Sequence, residues 1–306
     1  MVGAAQVMKV AYDPIYQHHL PEGHRFPMLK YELLPQQLLL EGTLEPEDIF
    51  SPSPVALEQV LRCHDEDYVR RLLNLELTAK EQRKIGFPLD ANLAERELRI
   101  AQGTIDGCLH ALQHKVALNI AGGTHHAYPD HGEAFCMFND QAIAARYLQD
   151  HGYAKKILIV DLDVHQGNGT AVIFQGDDSV FTFSMHGASN YPFRKEESDL
   201  DIALPNDTDD ATYLKILQDT LPQLIEEQEP DFIFYLSGVD VVATDKLGKL
   251  GMTPAGCKER DRIVLQLCKD HDLPVQCSMG GGYSKDIKTI VECHANTFRV
   301  ARELLG

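Results

Sequence analysis

The stretch Ile157-Leu158-Ile159-Val160-Asp161-Leu162-Asp163-Val164-His165 decides the reading of this chain: an apolar run of strand character that passes directly into carboxylates and an imidazole. In an extended segment side chains alternate faces, so Asp161, Asp163 and His165 share one side of the strand end and can converge on a single cation. Leu162 and Val164 then point into core.

Working outward, further strands are expected at Met8–Tyr12, Val116–Ala121, Val180–Ser184, Phe232–Leu236 and Val275–Met279. Between them lie segments with apolar residues at three and four spacing. Helices are expected at Leu93–Gln113, at Asp140–Asp150 with Asn139 as cap, at Thr212–Gln228 with a break near Pro222, at Lys258–His271 behind the Thr253-Pro254 start signal, and at Lys285–Leu305. Alternating strands and helices predict an α/β fold with a parallel sheet covered by helices. Asp13–Pro27 and His186–Asn206 read as long irregular loops of the kind that line sites, and Gly167-Asn168-Gly169 reads as a turn.

The strand exits carry the chemistry. Gly122-Gly123-Thr124-His125-His126, Ser237-Gly238-Val239-Asp240 and Gly280-Gly281-Gly282-Tyr283 each follow an expected strand. Open α/β sheets bind ligands beyond the carboxyl ends of their strands, where residues distant in sequence meet. Any one of these clusters alone is commonly a cap or a turn; four together at separate strand exits point to a site.

Composition sets the boundaries. With 306 residues, 44% hydrophobic and 24% charged, the chain is long enough for one large core, and a single domain over 1–306 is expected. A formal charge of −18, from 46 acidic and 28 basic residues, disfavours nucleic acid and anionic membrane as partners. The seven cysteines show no C-x-x-C spacing and read as buried thiols of a reducing compartment, so the cytoplasm is the expected location. Met1–Gln6 lacks the basic flank and apolar stretch of a secretory leader, and no apolar run approaches a membrane span.

These residues resemble the zinc-dependent histone deacetylase family. The resemblance runs from Gly23-His24-Arg25-Phe26-Pro27 through His64-Asp65-Glu66-Asp67-Tyr68, Glu133–Asp140, Asp161–Thr170 and Ser237–Gly248 to Gly280–Ser284. His165-Gln166-Gly167-Asn168-Gly169 is similar to the class IV branch and its bacterial, acetoin-utilisation-like relatives. The resemblance implies the arginase/deacetylase-type three-layer fold, a central mostly parallel sheet flanked by helices.

It also implies roles. Asp163, His165 and Asp240 would be the metal ligands, for Zn2+ or, with the same donors, Fe2+. Asp245 would order its own loop instead. His126 would be general base and acid, oriented by Asn168; Tyr283 would donate to the developing oxyanion; His125 would be an electrostatic partner held by Asp161. Phe135, Tyr191, Ala134, Gly281 and Gly282 would line a substrate channel. Asp161, Asp163, His165, Ser184 and Met185 would form a potassium site, largely through carbonyls.

In two places the sequence departs from the family pattern. Asn168 stands where many relatives have an aspartate, so His126 is expected to lack a negative charge behind it, and Asn168→Asp to shift the acid limb of the pH profile upward. Ala134 replaces a glycine. The expected reaction is removal of an acyl group, acetyl or longer, from lysine in a protein or peptide. Acetylated polyamines or other small acylated amines are the alternative substrates, and an inert acyl-ligand binding module is the non-enzymatic alternative. Two-metal ureohydrolase chemistry is disfavoured because Asp240 is followed by Val241-Val242 rather than a second acid.

Overall fold

In the computed structural model, which describes residues 8–306, Ile157–Asp161 forms a strand buried at every position. The reading of Met1–Gln6 lies outside the described residues. Eight strands are present among the described residues: β1 Lys9–Ala11, β2 Ile49–Phe50, β3 Val116–Asn119, β4 Ile157–Asp161, β5 Val180–Gly187, β6 Leu200–Leu204, β7 Phe232–Leu236 and β8 Val275–Ser278. They form one sheet in the order β2-β1-β3-β8-β7-β4-β5-β6, and every pairing is parallel. The strands whose exits carry the chemistry, β3, β8, β7 and β4, are therefore consecutive neighbours with all four carboxyl ends on one edge.

Among the described residues there are ten α-helices, besides two single-turn 3-10 helices at Pro14–Tyr16 and Pro46–Asp48: α1 Lys30–Leu40, α2 Leu57–Val60, α3 Glu66–Leu73, α4 Ala79–Ile85, α5 Ala91–His114, α6 Asp140–Asp150, α7 Asn168–Ile173, α8 Asp210–Gln228, α9 Pro254–Asp270 and α10 Ile287–Leu305. The long α5 packs on β1, β3 and β8 and against α6, while α10 packs on α9 and α1, and α9 on α8. The expected caps are in place: Asn139 Oδ1 accepts from Ala142 N at 3.0 Å, and Thr253 Oγ1 accepts from Gly256 N at 3.0 Å ahead of α9. Covered on both sides, the central strands bury Leu158, Val160, Phe234 and Tyr235 completely. Truncating Ile159 in this layer to alanine would cost about 2–5 kcal/mol, the usual range for such cavities.

Three expectations need correction. His186–Asn206 is not wholly irregular, because β5 continues to Gly187 and Leu200–Leu204 adds the partly exposed edge strand β6, only five residues long, whose Leu200, Ile202 and Leu204 alternate with Asp201 and Ala203. Pro222 does not break α8; it cannot donate to the Gln218 carbonyl, but Gln218 is exposed, so water can serve that carbonyl instead. Asn168 is not in a free turn but opens α7. The seven cysteines are buried and unpaired. Among the described residues no helix is long and apolar enough to cross a membrane.

Candidate active site

At the edge shared by β4, β7 and β8, one ligand atom each from Asp163, His165 and Asp240 lies within 4.8 Å of the others. All three side chains are buried. Backbone amides aim the carboxylates: Val164 N donates to Asp240 Oδ1 at 2.9 Å, and Gly281 N donates to Asp163 Oδ2 at 2.8 Å. Glycine is required at two points of this cradle, since a Cβ on Gly281 would collide with Asp240 Oδ2, and one on Gly238 with Asp163 Oδ2.

The donor set fits a divalent cation. Asp240 Oδ2 is buried without a hydrogen bond, although it lies 3.2 Å from His165 Nδ1. Burial and the Asp163 charge push the Asp240 carboxyl up to about 7. Burial alone would lower His165, yet its two carboxylate neighbours outweigh that and carry it up to about 10. Without a cation the two carboxylates can be buried together only by binding protons, and a divalent ion would take the place of those protons. Two carboxylate oxygens and one imidazole nitrogen suit zinc or ferrous iron.

Behind the cradle sits a residue that periodicity did not reveal. Arg260, completely buried on α9, donates to the carbonyls of Leu162, Ser237 and Gly238 at 3.2, 3.2 and 2.5 Å, tying the β4 and β7 exits together. Its charge is balanced by Asp261 at 2.8 Å, which in turn accepts from Tyr235 and Thr297. A cation on the buried face of an amphipathic helix was the one available sign.

The two histidines after β3 face the cradle with their rings 4.1 Å apart. His125 Nδ1 is 2.6 Å from Asp161 Oδ2, and His126 Nδ1 is 2.6 Å from Asn168 Oδ1. Burial would depress His125, but the Asp161 charge and hydrogen bond outweigh it and raise its pKa. His126 is held well below its ordinary range by burial and by the charges of His125 and His165.

Two neighbouring spaces share His126, Ala134, Phe135, His165 and Tyr283 as lining residues. The outer one, of about 520 Å³, is lined by Arg25, Lys84, Tyr191, Phe193 and Lys249; among the described residues no aspartate or glutamate lines it. The inner one, of about 40 Å³, lies against Tyr31, Arg96 and Gly281 and has room for only a few waters. Phe135 packs edge-on against Phe26 at 5.0 Å, so Phe26 is a wall residue that sequence reading missed. Gly282 does not line either space: a Cβ there would meet Val239, Ile290 and His294, on the α10 side. Ala134, at φ 46°, occupies the left-handed region that glycine enters without strain.

Asp245 orders its own loop through Leu247 N and Gly248 N, both at 2.8 Å, and also accepts from Tyr283 N at 2.5 Å, fixing the phenol's backbone. Burial and the nearby Asp240 and Asp163 charges keep the Tyr283 hydroxyl protonated far above its ordinary value. Ser184 pairs with Asp161 across β4 and β5, and Met185 follows it, both buried.

Residues 24–300 match the histone deacetylase domain. An uncharacterized protein of Picosynechococcus is 47% identical over 295 residues, which is 96% of this chain and 98% of that protein. The acetoin utilization protein AcuC of Staphylococcus aureus is 28% identical over 299 residues, 90% of this chain and 77% of that protein. The crystal structure of a histone deacetylase homologue complexed with SAHA has a TM-score of 0.84 at 25% identity, covering 98% of this chain and 84% of the other. The chain belongs to the histone deacetylase family, and its all-parallel sheet flanked by helices is the arginase/deacetylase-type fold expected from the sequence.

Proposed function

We propose that the chain is a zinc-dependent lysine deacetylase of the class IV-like branch, a single domain over 1–306 that cleaves acetyl groups from lysine side chains of proteins or peptides. The observation that carries this reading is the meeting of the buried cradle, with its unpartnered Asp240 Oδ2, and the His126 and Tyr283 side chains that line both spaces. Zinc held by Asp163, His165 and Asp240 would polarise the amide carbonyl and make water nucleophilic.

The chain's own groups supply the rest. With Nδ1 engaged by Asn168, His126 keeps Nε2 free to take a proton from water and pass it to the leaving amine. Its depressed pKa keeps that nitrogen unprotonated at neutral pH. Tyr283, protonated, donates to the oxygen that gains charge in the transition state. His125, whose protonation Asp161 favours, adds a positive field beside the reacting carbonyl when it is charged. Asp161, Asp163, His165, Ser184 and Met185 are proposed to hold potassium on the sheet side. The seven buried thiols suit a cytoplasmic protein.

Substrate size follows from the two spaces. A lysine stem filling the outer space and presenting its carbonyl at the shared residues turns the acyl group toward the inner space, whose room for only a few waters favours acetyl over a fatty chain. The cations Arg25, Lys84 and Lys249 around the outer space disfavour polyamines despite the acidic chain. The test is hydrolysis of matched acetyl-, octanoyl- and myristoyl-lysine peptides and an acetylated polyamine by zinc-loaded protein. The acetyl peptide is expected to be cleaved at least about tenfold faster than the others, and Tyr283→Phe to lower kcat about 10²–10³-fold with KM little changed. Equal binding without turnover in both forms would leave an acyl-ligand binding module; myristoyl preference would overturn the acetyl assignment.

A further inference from the structure

The amide that orients His126 is itself held. Asn168 Nδ2 donates to Glu133 Oε1 at 2.8 Å and lies 3.0 Å from the Tyr128 hydroxyl. Glu133 comes from a tight turn whose next two residues, Ala134 and Phe135, both have positive φ, and whose amides are pinned to the end of α4: Ala134 N donates to Lys84 O at 3.0 Å and Phe135 N to Ile85 O at 2.6 Å. The same Lys84 places its ammonium 2.6 Å from Glu133 Oε2. Although the Glu133 side chain is only 6% exposed, hydrogen bonds from His131, Lys84, Tyr191 and Asn168 outweigh burial and keep it ionised.

We infer that Glu133 is the positioning residue for His126, acting through the Asn168 amide. This inference rests on the reading of His126 as the proton carrier.

Donors and acceptors decide how the amide sits. An amide side chain can flip, exchanging its oxygen and its NH2 at nearly the same shape. In one orientation it accepts from His126 Nδ1–H and leaves Nε2 as the basic atom; in the other it donates to Nδ1 and moves the ring proton to Nε2, the wrong tautomer for a base. A carboxylate only accepts, so Glu133 can be served by Asn168 Nδ2 and never by its oxygen. Ionised Glu133 therefore selects the productive orientation. The charge that the sequence reading found missing behind His126 is present, displaced by one amide. Lys84, half exposed at the rim of the outer space, holds that carboxylate from the other side.

A carboxylate directly at position 168 would face Glu133 across a hydrogen-bond distance with no proton between them, so Asn168→Asp should be harmful while Glu133 stays charged. This revises the expectation drawn from sequence alone. The experiment compares wild type, Glu133→Gln, Asn168→Asp and the double variant, zinc-loaded and with zinc content and unfolding midpoint checked. Glu133→Gln should lower kcat on the order of tenfold, the lower end of what orienting partners of site histidines supply, with KM unchanged. Asn168→Asp should lose activity, and adding Glu133→Gln should restore much of it. Nitrogen-15 NMR of labelled histidines should show His126 as the Nδ1–H tautomer in wild type and as a mixture in Glu133→Gln. That spectrum needs no turnover, so an inactive wild type would sink the hydrolase reading while leaving the positioning claim to be judged. An unaltered tautomer in Glu133→Gln, or additive losses in the double variant, would overturn the inference.

Discussion

His125 and His126 are consecutive, both buried, and both bound through Nδ1 to a side-chain oxygen at 2.6 Å, yet their pKa values move in opposite directions. Asp161 brings a charge to the first ring, whereas Asn168 brings only a dipole to the second. Once His125 is charged, its ring centre 4.1 Å away repels a proton from His126, so one contrast reinforces the other. The pair divides labour: a ring shifted toward its charged form beside one shifted toward its neutral form.

The sharpest way to break the contrast is to remove each ring in turn. His126→Ala should lower kcat about 10³–10⁴-fold, the upper range for loss of a general acid and base, and His125→Ala only about 10²-fold. Steady-state kinetics with zinc content held equal would show it; equal losses would remove the division of labour.

A third buried histidine, His64, lacks any charged partner in its hydrogen bonds: its Nδ1–H donates to Tyr128 O at 2.9 Å, and its Nε2 accepts from Asn139 N at 2.9 Å. Burial lowers it from 6.5 to about 4. The unfolded chain takes up this proton near 6.5 and the folded chain resists until about 4, so stability is complete above 6.5 and falls as pH drops through that window. The loss should approach roughly 3 kcal/mol. Urea unfolding at pH 7 and 4.5 measures it, and His64→Gln, which cannot charge, should show a correspondingly smaller drop between the two conditions.

Making the two histidines alike is a gentler change. Asp161→Asn removes the charge that raises His125, whose pKa should then fall below its ordinary value. With that cation gone His126 is repelled less, its pKa rises, and because it works as the neutral form the acid limb of the kcat profile should move to higher pH. The rate at neutral pH should drop about tenfold. A limb that stays in place would show that His125 is not the source of the field.

Much of this was legible in the chain. The apolar runs that end at His125, Asp163, Asp240 and Tyr283 announced both the strands and the site, because parallel strands place all their exits on one edge. What stayed hidden depends on tertiary contact. β2 has two residues and no pattern to read, and α1 carries Pro35 in its interior. α4 did carry a signal that went unread, the Thr78-x-x-Glu81 capping box. Glu133 and Asn168 are 35 residues apart, and only the fold could reveal that a carboxylate stands behind the amide.

Hydrolysis is proposed to depend on one divalent ion held between Asp163, His165 and Asp240. Elemental analysis and zinc titration of wild type and Asp240→Ala, run beside acetyl-lysine peptide hydrolysis, test it most directly. A single zinc per chain in wild type is predicted, with affinity in Asp240→Ala reduced by more than the roughly 10–100-fold that loss of an orienting partner costs, and hydrolysis lost with it. Two ions per chain, or an Asp240→Ala protein that binds zinc and cleaves the peptide as wild type does, would contradict it.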